Sequence, residues 1–338
     1  MHTTPPNLQI TIRLQEADGA PHPPHNAPPI DNADSQTFHI TISSGEYFDP
    51  DHQPPLPFQA AEDYARTVMS WAQAPLPEHI VAWRNQAYGP HRLHSYDVFA
   101  PPNAHNAPIL VFWHGGGWTN GYREYVHFMA QNVTDLGMVL ITPSYRLVRD
   151  APLPAALEDC FALLNHIAQN AHTFGANPEQ VYLAGHSAGG HLAALTALRY
   201  PLQTQRSLPT DALRGCLPIS GIMDLHHPQP EPGSLEERVY TSVLAHPDED
   251  AALSPLCWTA GCRMPFVLTC GAQDSPRVQH SNRRMLALLR TQNSPAQLHI
   301  EAQTDHFGSH TQLRDATHPW YGRLAELVGQ EAAQHHQP

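Results

Sequence analysis

From Tyr96 onward, short apolar runs alternate with longer stretches whose apolar residues recur every three or four positions. The runs Ile109–Trp113, Met138–Thr142, Val181–Ala184, Cys216–Ile219, Phe266–Cys270 and Leu298–Glu301 have strand length and end at turn residues, which predicts strands. Helical spacing predicts helices over Ala155–Ala171, Gly190–Arg199, Arg277–Leu289 and Pro319–Ala333. Buried strands alternating with helices imply a mostly parallel sheet covered on both faces, an α/β fold. The stretch His226–Ala252 breaks this rhythm and reads as an insertion over the C-terminal edge of the sheet, the edge where open α/β sheets bind ligands.

The chain ahead of Tyr96 is patterned differently. Residues 60–90 read as a helical lead-in: Ala60–Ala74, a break at Pro75–Pro77, then a short helical stretch to Trp83. Within residues 1–60, Pro21, Pro23, Pro24, Pro28, Pro29, Pro54, Pro55 and Pro57 interrupt regular structure. Two alternating segments, Leu8–Leu14 and Phe38–Ile42, predict strands. A hairpin, a lid, a dimer arm and an unstructured extension all stay open for this part. The expected organisation is therefore a Pro-rich extension over 1–60 and an α/β domain over 61–338, with the insertion at 226–252.

Composition narrows the chemistry. All 18 basic residues are Arg, which excludes chemistries that need a lysine amine: a Walker A loop, a kinase strand lysine, a Schiff-base lysine or a Ser–Lys dyad. The 31 acidic residues give a formal charge of −13, which argues against nucleic acid or an anionic membrane as partner. Charging all 25 His would move that value from −13 to +12, so the electrostatics depend strongly on pH. Five scattered Cys do not form a disulfide framework and are expected as free thiols. Cys257 and Cys262 stand close together, but no second Cys/His pair at zinc spacing accompanies them, and no metal or cofactor is expected. Met1–Ile10 lacks a basic patch followed by an apolar run, and no window approaches the ~18 apolar residues of a membrane span. The expectation is a cytoplasmic protein acting on a small molecule, with a homo-oligomer left open.

Gly185-His186-Ser187-Ala188-Gly189 follows the predicted strand Val181–Ala184 and precedes a helix. A G-x-S-x-G in that context is a nucleophile elbow, whose glycines allow a sharp strand-to-helix turn that exposes a strained serine above a helix N-terminus. His114-Gly115-Gly116-Gly117-Trp118 follows the strand Ile109–Trp113. A glycine run lets bare amides turn toward an oxygen that becomes negative, so Gly115 and Gly116, with the amide of Ala188, are the expected oxyanion hole. The order nucleophile, acid, base selects Asp274, just past Phe266–Cys270, and His306, just past Leu298–Glu301. Asp305 and Asp224 are rivals for the acid. Asp305 is too close in sequence to reach the far ring nitrogen easily, and Asp224 follows an earlier strand. Trp118, Tyr122 and Phe307 are the candidate walls of a substrate pocket, each equally readable as a core or rim aromatic. Arg146 and Arg123 are candidates for a substrate carboxylate, against the commoner reading as ordinary ion pairs.

These motifs together resemble the α/β-hydrolases of the esterase and lipase group. Tyr96–Phe99, His114–Trp118, Tyr145–Leu147, Gly185–His191, Ser220–Leu225, Leu253–Pro255, Asp274–Pro276 and His306-Phe307 resemble the kynurenine formamidase branch. Gly117, where that branch often has Tyr, and Pro152–Asp159 resemble the hormone-sensitive-lipase-like esterases instead, and residues 1–60 match neither. The resemblance implies acyl transfer to water through Ser187, His306 and Asp274, with an aryl formamide such as N-formylkynurenine as the expected substrate and short-chain esters as the alternative. A hydrolase scaffold that binds without catalysis is the alternative from another class. Metal-dependent hydrolysis lacks a ligand-spaced motif such as H-E-x-x-H.

Overall fold

The computed structural model describes residues 53–209 and 211–334, which belong to one compact unit beginning at Gln53. The strands expected at Leu8–Leu14 and Phe38–Ile42 lie outside the described residues. Among the described residues eight strands form one sheet: β1 (Val81–Ala87), β2 (Ser95–Ala100), β3 (Ala107–Trp113), β4 (Val139–Pro143), β5 (Ala176–His186), β6 (Leu213–Ile219), β7 (Phe266–Gly271) and β8 (Ala296–Glu301). Their order is β1-β2-β4-β3-β5-β6-β7-β8. β2 runs antiparallel to β1 and β4, and every pair from β4 to β8 is parallel. The expected α/β architecture is present.

Side-chain alternation assigns a helix layer to each face. In β3, Ile109, Val111 and Trp113 enter one core cluster, while Leu110 and Phe112 enter the other; Val181 and Leu183 of β5 oppose Tyr182 and Ala184 in the same way. The first cluster is closed by α3 (Leu153–Asn170), α4 (Ala188–Arg199) and α6 (Pro276–Thr291), and the second by α2 (Ala130–Asp135) and α8 (Pro319–Gln334), which follows the short α7 (Gly308–Thr311). With both faces buried, a strand needs apolar residues at every position, which is why these segments read as unbroken apolar runs.

Ahead of the sheet, α1 (Gln59–Ala72) occupies the expected lead-in helix and packs Tyr64 and Val68 against Tyr125. The short helix expected to end at Trp83 is a correction: Val81, Ala82 and Trp83 are the first residues of β1 and pair with Ala100, Phe99 and Val98. Most of β1 is exposed or half-buried, so its extended form comes from hydrogen bonding to β2 rather than from an apolar pattern. Between β6 and β7 the chain passes through α5 (Leu235–Arg238) and a π turn over Val239–Val243, within the stretch read as an insertion. No described helix is long and apolar enough to cross a membrane.

β3 lies between β4 and β5, so the chain leaves β3 on one side and returns on the other. This reversal separates the crossovers at the C-terminal ends of β3 and β5 and opens a crevice there.

Candidate active site

Ser187 stands at the end of β5 with φ 56° and ψ −118°, a conformation that L residues rarely adopt. The turn holding it there requires glycine where α4 backs onto β3. A Cβ on Gly189 would sit 2.0 Å from the carbonyl oxygen of Trp113. Because Trp113 is paired with Gly185, the glycine loop that follows β3 lies beside the serine that follows β5. Gly116 has φ 127° and its carbonyl accepts the N–H groups of Thr119 and Asn120, so the loop folds back on itself. Gly116 and Gly117 line the cavity above Ser187. Gly115 is buried behind them, packed against His186 and Ser187. Among the described residues, the amides of Gly116, Gly117 and Ala188 donate to no protein acceptor.

The loops after β7 and β8 bring the remaining groups to the same edge. Nε2 of His306 lies 2.8 Å from Oγ of Ser187, and its Nδ1 lies 2.8 Å from Oδ1 of Asp274. Asp274 is fully buried at its side chain and His306 is one-quarter exposed, so the imidazole faces the cavity and the carboxylate does not. Burial by itself raises the carboxyl pKa of Asp274, but the hydrogen bond and charge of His306 outweigh it and hold the group below its ordinary value. Neither rival acid bonds His306: Asp224 pairs with Arg284, and Asp305 accepts the N–H of Gly308.

His306 is also held through its backbone. Its carbonyl accepts from Nε2 of His186 at 2.8 Å and from Oγ of Ser309 at 2.7 Å. His186 stacks on His310 with ring centroids 5.0 Å apart, and Nδ1 of His310 is 2.8 Å from the hydroxyl of Tyr64. Burial lowers the pKa of His186 well below the usual imidazole range and that of His310 to about 3, so both rings are neutral near pH 7. With a carbonyl facing Nε2, neutral His186 carries its proton there.

Above this constellation lies a cavity of about 250 Å³. Trp118 and Phe307 line it. Tyr122 does not: it meets Tyr125 edge-on, with centroids 5.7 Å apart, and this corrects the expectation drawn from its neighbourhood in sequence. Arg146 binds Asp159 and Glu158, while Arg123 is buried beside Asp97, so neither reaches the cavity. Sequence reading missed Leu56, Phe58 and Tyr64, which line the cavity from the start of the described chain, and Glu236, Arg238 and Arg277, which line it from α5 and α6. The apolar triplet Leu56-Pro57-Phe58 ahead of α1 was the available signal for the first set, whereas nothing local marks the second.

The sequence model of the BD-FAE family matches residues 96–287, a span that contains the glycine loop, the elbow and Asp274. The chain belongs to the BD-FAE family of α/β-hydrolases. Among relatives of this BD-FAE chain, the carboxylesterase NlhH of Mycobacterium tuberculosis is 31% identical over 150 residues, which is 42% of this chain and 47% of that protein. The chain thus spans about half the length of that curated relative. The kynurenine formamidase of Salmo salar is 27% identical over 250 residues, 72% of this chain and 81% of that protein. A solved structure of the thermostable carboxylesterase EstE1, cloned from a metagenomic library, superposes with a TM-score of 0.64 at 20% identity, covering 84% of this chain and 99% of that one; this likeness concerns the fold.

Proposed function

We propose that the chain is a serine hydrolase of carboxylesterase type acting on small-molecule esters. In this reading the Ser187 hydroxyl attacks the ester carbonyl carbon while Nε2 of His306 accepts its proton. The carbonyl oxygen, now negative, is received by the amides of Gly116 and Ala188, with Gly117 taking the part expected of Gly115 because it lies on the cavity wall. His306 returns the proton to the departing alkoxide, and an acyl ester on Ser187 is left. Water then repeats the sequence, releasing the acid. Asp274 keeps the proton of His306 on Nδ1 while the ring is neutral and stabilises the cation when it forms.

The observation that carries this reading is the Ser187–His306–Asp274 chain, with 2.8 Å at both contacts, under a serine at φ 56°. The measurement is turnover of 4-nitrophenyl acetate together with labelling by a fluorophosphonate probe. Ser187→Ala should abolish labelling and reduce turnover by roughly 10³-fold or more. Turnover surviving that change would reject Ser187 as nucleophile, and a wild-type protein that never labels would favour a binding scaffold.

A second reading, an aryl formamidase, is favoured by the match to the salmon kynurenine formamidase, which covers 81% of that protein. The same residues would transfer a formyl group, with an aryl amine leaving in place of the alkoxide. Comparing kcat/KM for N-formylkynurenine with that for esters of increasing acyl length decides between the two.

A further inference from the structure

Two guanidiniums line the active-site cavity, and their surroundings differ. Arg277, in the first turn of α6, is committed to the protein: Nη2 donates to the carbonyls of Asp224 and Leu225 at 3.3 and 3.4 Å, and Nη1 lies 3.5 Å from Oε1 of Glu236. Arg238, the last residue of α5, donates from Nη2 to Oγ1 of Thr119 at 2.7 Å, a neutral partner. Among the described residues no carboxylate lies within ion-pair distance of Arg238, and its Nε and Nη1 donate to no protein atom.

Of the two Arg that line the cavity, Arg277 has a carboxylate beside it and Arg238 has none among the described residues. The wall around it is largely apolar, with Leu235, Val239, Val243 and Ile222. A guanidinium there loses part of its hydration, and the loss is recovered when an anion arrives. Its position is also fixed. The Thr119 hydroxyl donates to Oδ1 of Asn120 at 2.7 Å, which leaves its lone pairs for Arg238 and ties the head group to the loop that carries Gly116 and Gly117.

We propose that Arg238 selects substrates bearing a carboxylate, which its free N–H groups hold while the scissile carbonyl lies at Ser187. The planar fork of Arg presents two N–H groups to the two oxygens of a carboxylate, a match that a lysine cannot make. The inference rests on the reading of Ser187 as nucleophile for its placement of the scissile bond. The binding of the anion stands independently of that reading.

Two pairs of probes differ by one charge: 3-acetoxybenzoate against 3-acetoxybenzamide, with the charge on the leaving group, and 4-nitrophenyl hemisuccinate against 4-nitrophenyl pentanoate, with the charge on the acyl group. The wild-type protein should favour the charged member of at least one pair in kcat/KM. Arg238→Gln should reduce that ratio roughly tenfold or more, Arg238→Lys should retain part of it, and Arg238→Glu should invert it. Titration calorimetry of 3-acetoxybenzoate and 3-acetoxybenzamide against Ser187→Ala, with and without Arg238→Gln, reads the same preference without turnover. Ratios and affinities unchanged by Arg238→Gln would overturn the proposal. Hydrolysis absent throughout, with the anion preference still present in binding, would overturn the nucleophile and leave the anion site standing.

Discussion

Stripped of most of its water, the Asp274 carboxylate keeps its charge because His306 sits 2.8 Å away, and the same contact fixes which ring nitrogen faces Ser187. An amide at this position preserves the shape but can donate to Nδ1, which favours the tautomer that cannot accept the serine proton. Asp274→Asn should therefore fold normally and lose roughly 10⁴-fold in kcat, the size of the effect when a triad carboxylate is replaced by its amide. Turnover of 4-nitrophenyl acetate, measured beside a thermal melt, checks both halves. Near-wild-type turnover would pass the orienting role to another acid, although Asp224 and Asp305 are engaged elsewhere. Ser187, His306 and Asp274 were legible in the sequence because each directly follows an apolar run that a parallel sheet places on one edge. Arg238 was not. It sits on a four-residue helix within an irregular stretch, and only the folded chain brings it against Thr119.

At the level of elements, the elbow tests how tightly β3, β5 and α4 are joined. Gly189 is so close to β3 that a methyl group would lie 2.0 Å from the carbonyl oxygen of Trp113 and 2.5 Å from that of His114. Both are backbone atoms that move only with their strand. Gly189→Ala should cost roughly 1–3 kcal/mol or more, through overpacking, and should displace Ser187 and lower turnover with it. The same replacement in α8 has the opposite sign. Gly322 is exposed within that helix and an added Cβ meets nothing within 4 Å, so Gly322→Ala should add about 0.5–1 kcal/mol by reducing the freedom of the unfolded chain. Urea midpoints for the two variants should move in opposite directions; a shared direction would contradict the packing described for the elbow. The parallel strands β3 to β7 were readable because burial on both faces demands apolar residues without interruption, whereas β8 is only partly buried. β1 was not readable, since its partly exposed residues carry a mixed pattern and its pairing with β2 is interrupted between Trp83 and Gln86, where Asn85 has φ 53°.

For the whole molecule, the abundance of histidine becomes a statement about stability once burial sorts the 25 residues. Burial lowers the pKa of His114 and His191 to about 4 and that of His310 to about 3, in each case by making the charged ring costly. In the unfolded chain the same rings take a proton near pH ~6.5. Above that value they are neutral in both states and add nothing to the pH dependence. Below it the unfolded chain binds protons that the folded chain refuses, so stability falls as the pH drops, and the fall continues until the folded rings themselves titrate near pH 4. Each such ring contributes a slope approaching ~1.4 kcal/mol per pH unit inside that window. Exposed histidines act the other way, because charging them offsets the formal −13 and relaxes self-repulsion, but solvent and salt screen that term. The desolvation of buried rings is not screened, so it decides the sign. The urea midpoint should be nearly level from pH 8 to 7 and then decline steeply toward pH 5, before the general loss of paired carboxylates begins. A midpoint that stays level to pH 5 would mean that these rings accept protons in the folded state, and that the stacked His186–His310 pair behind the catalytic loop is more open to water than its burial implies.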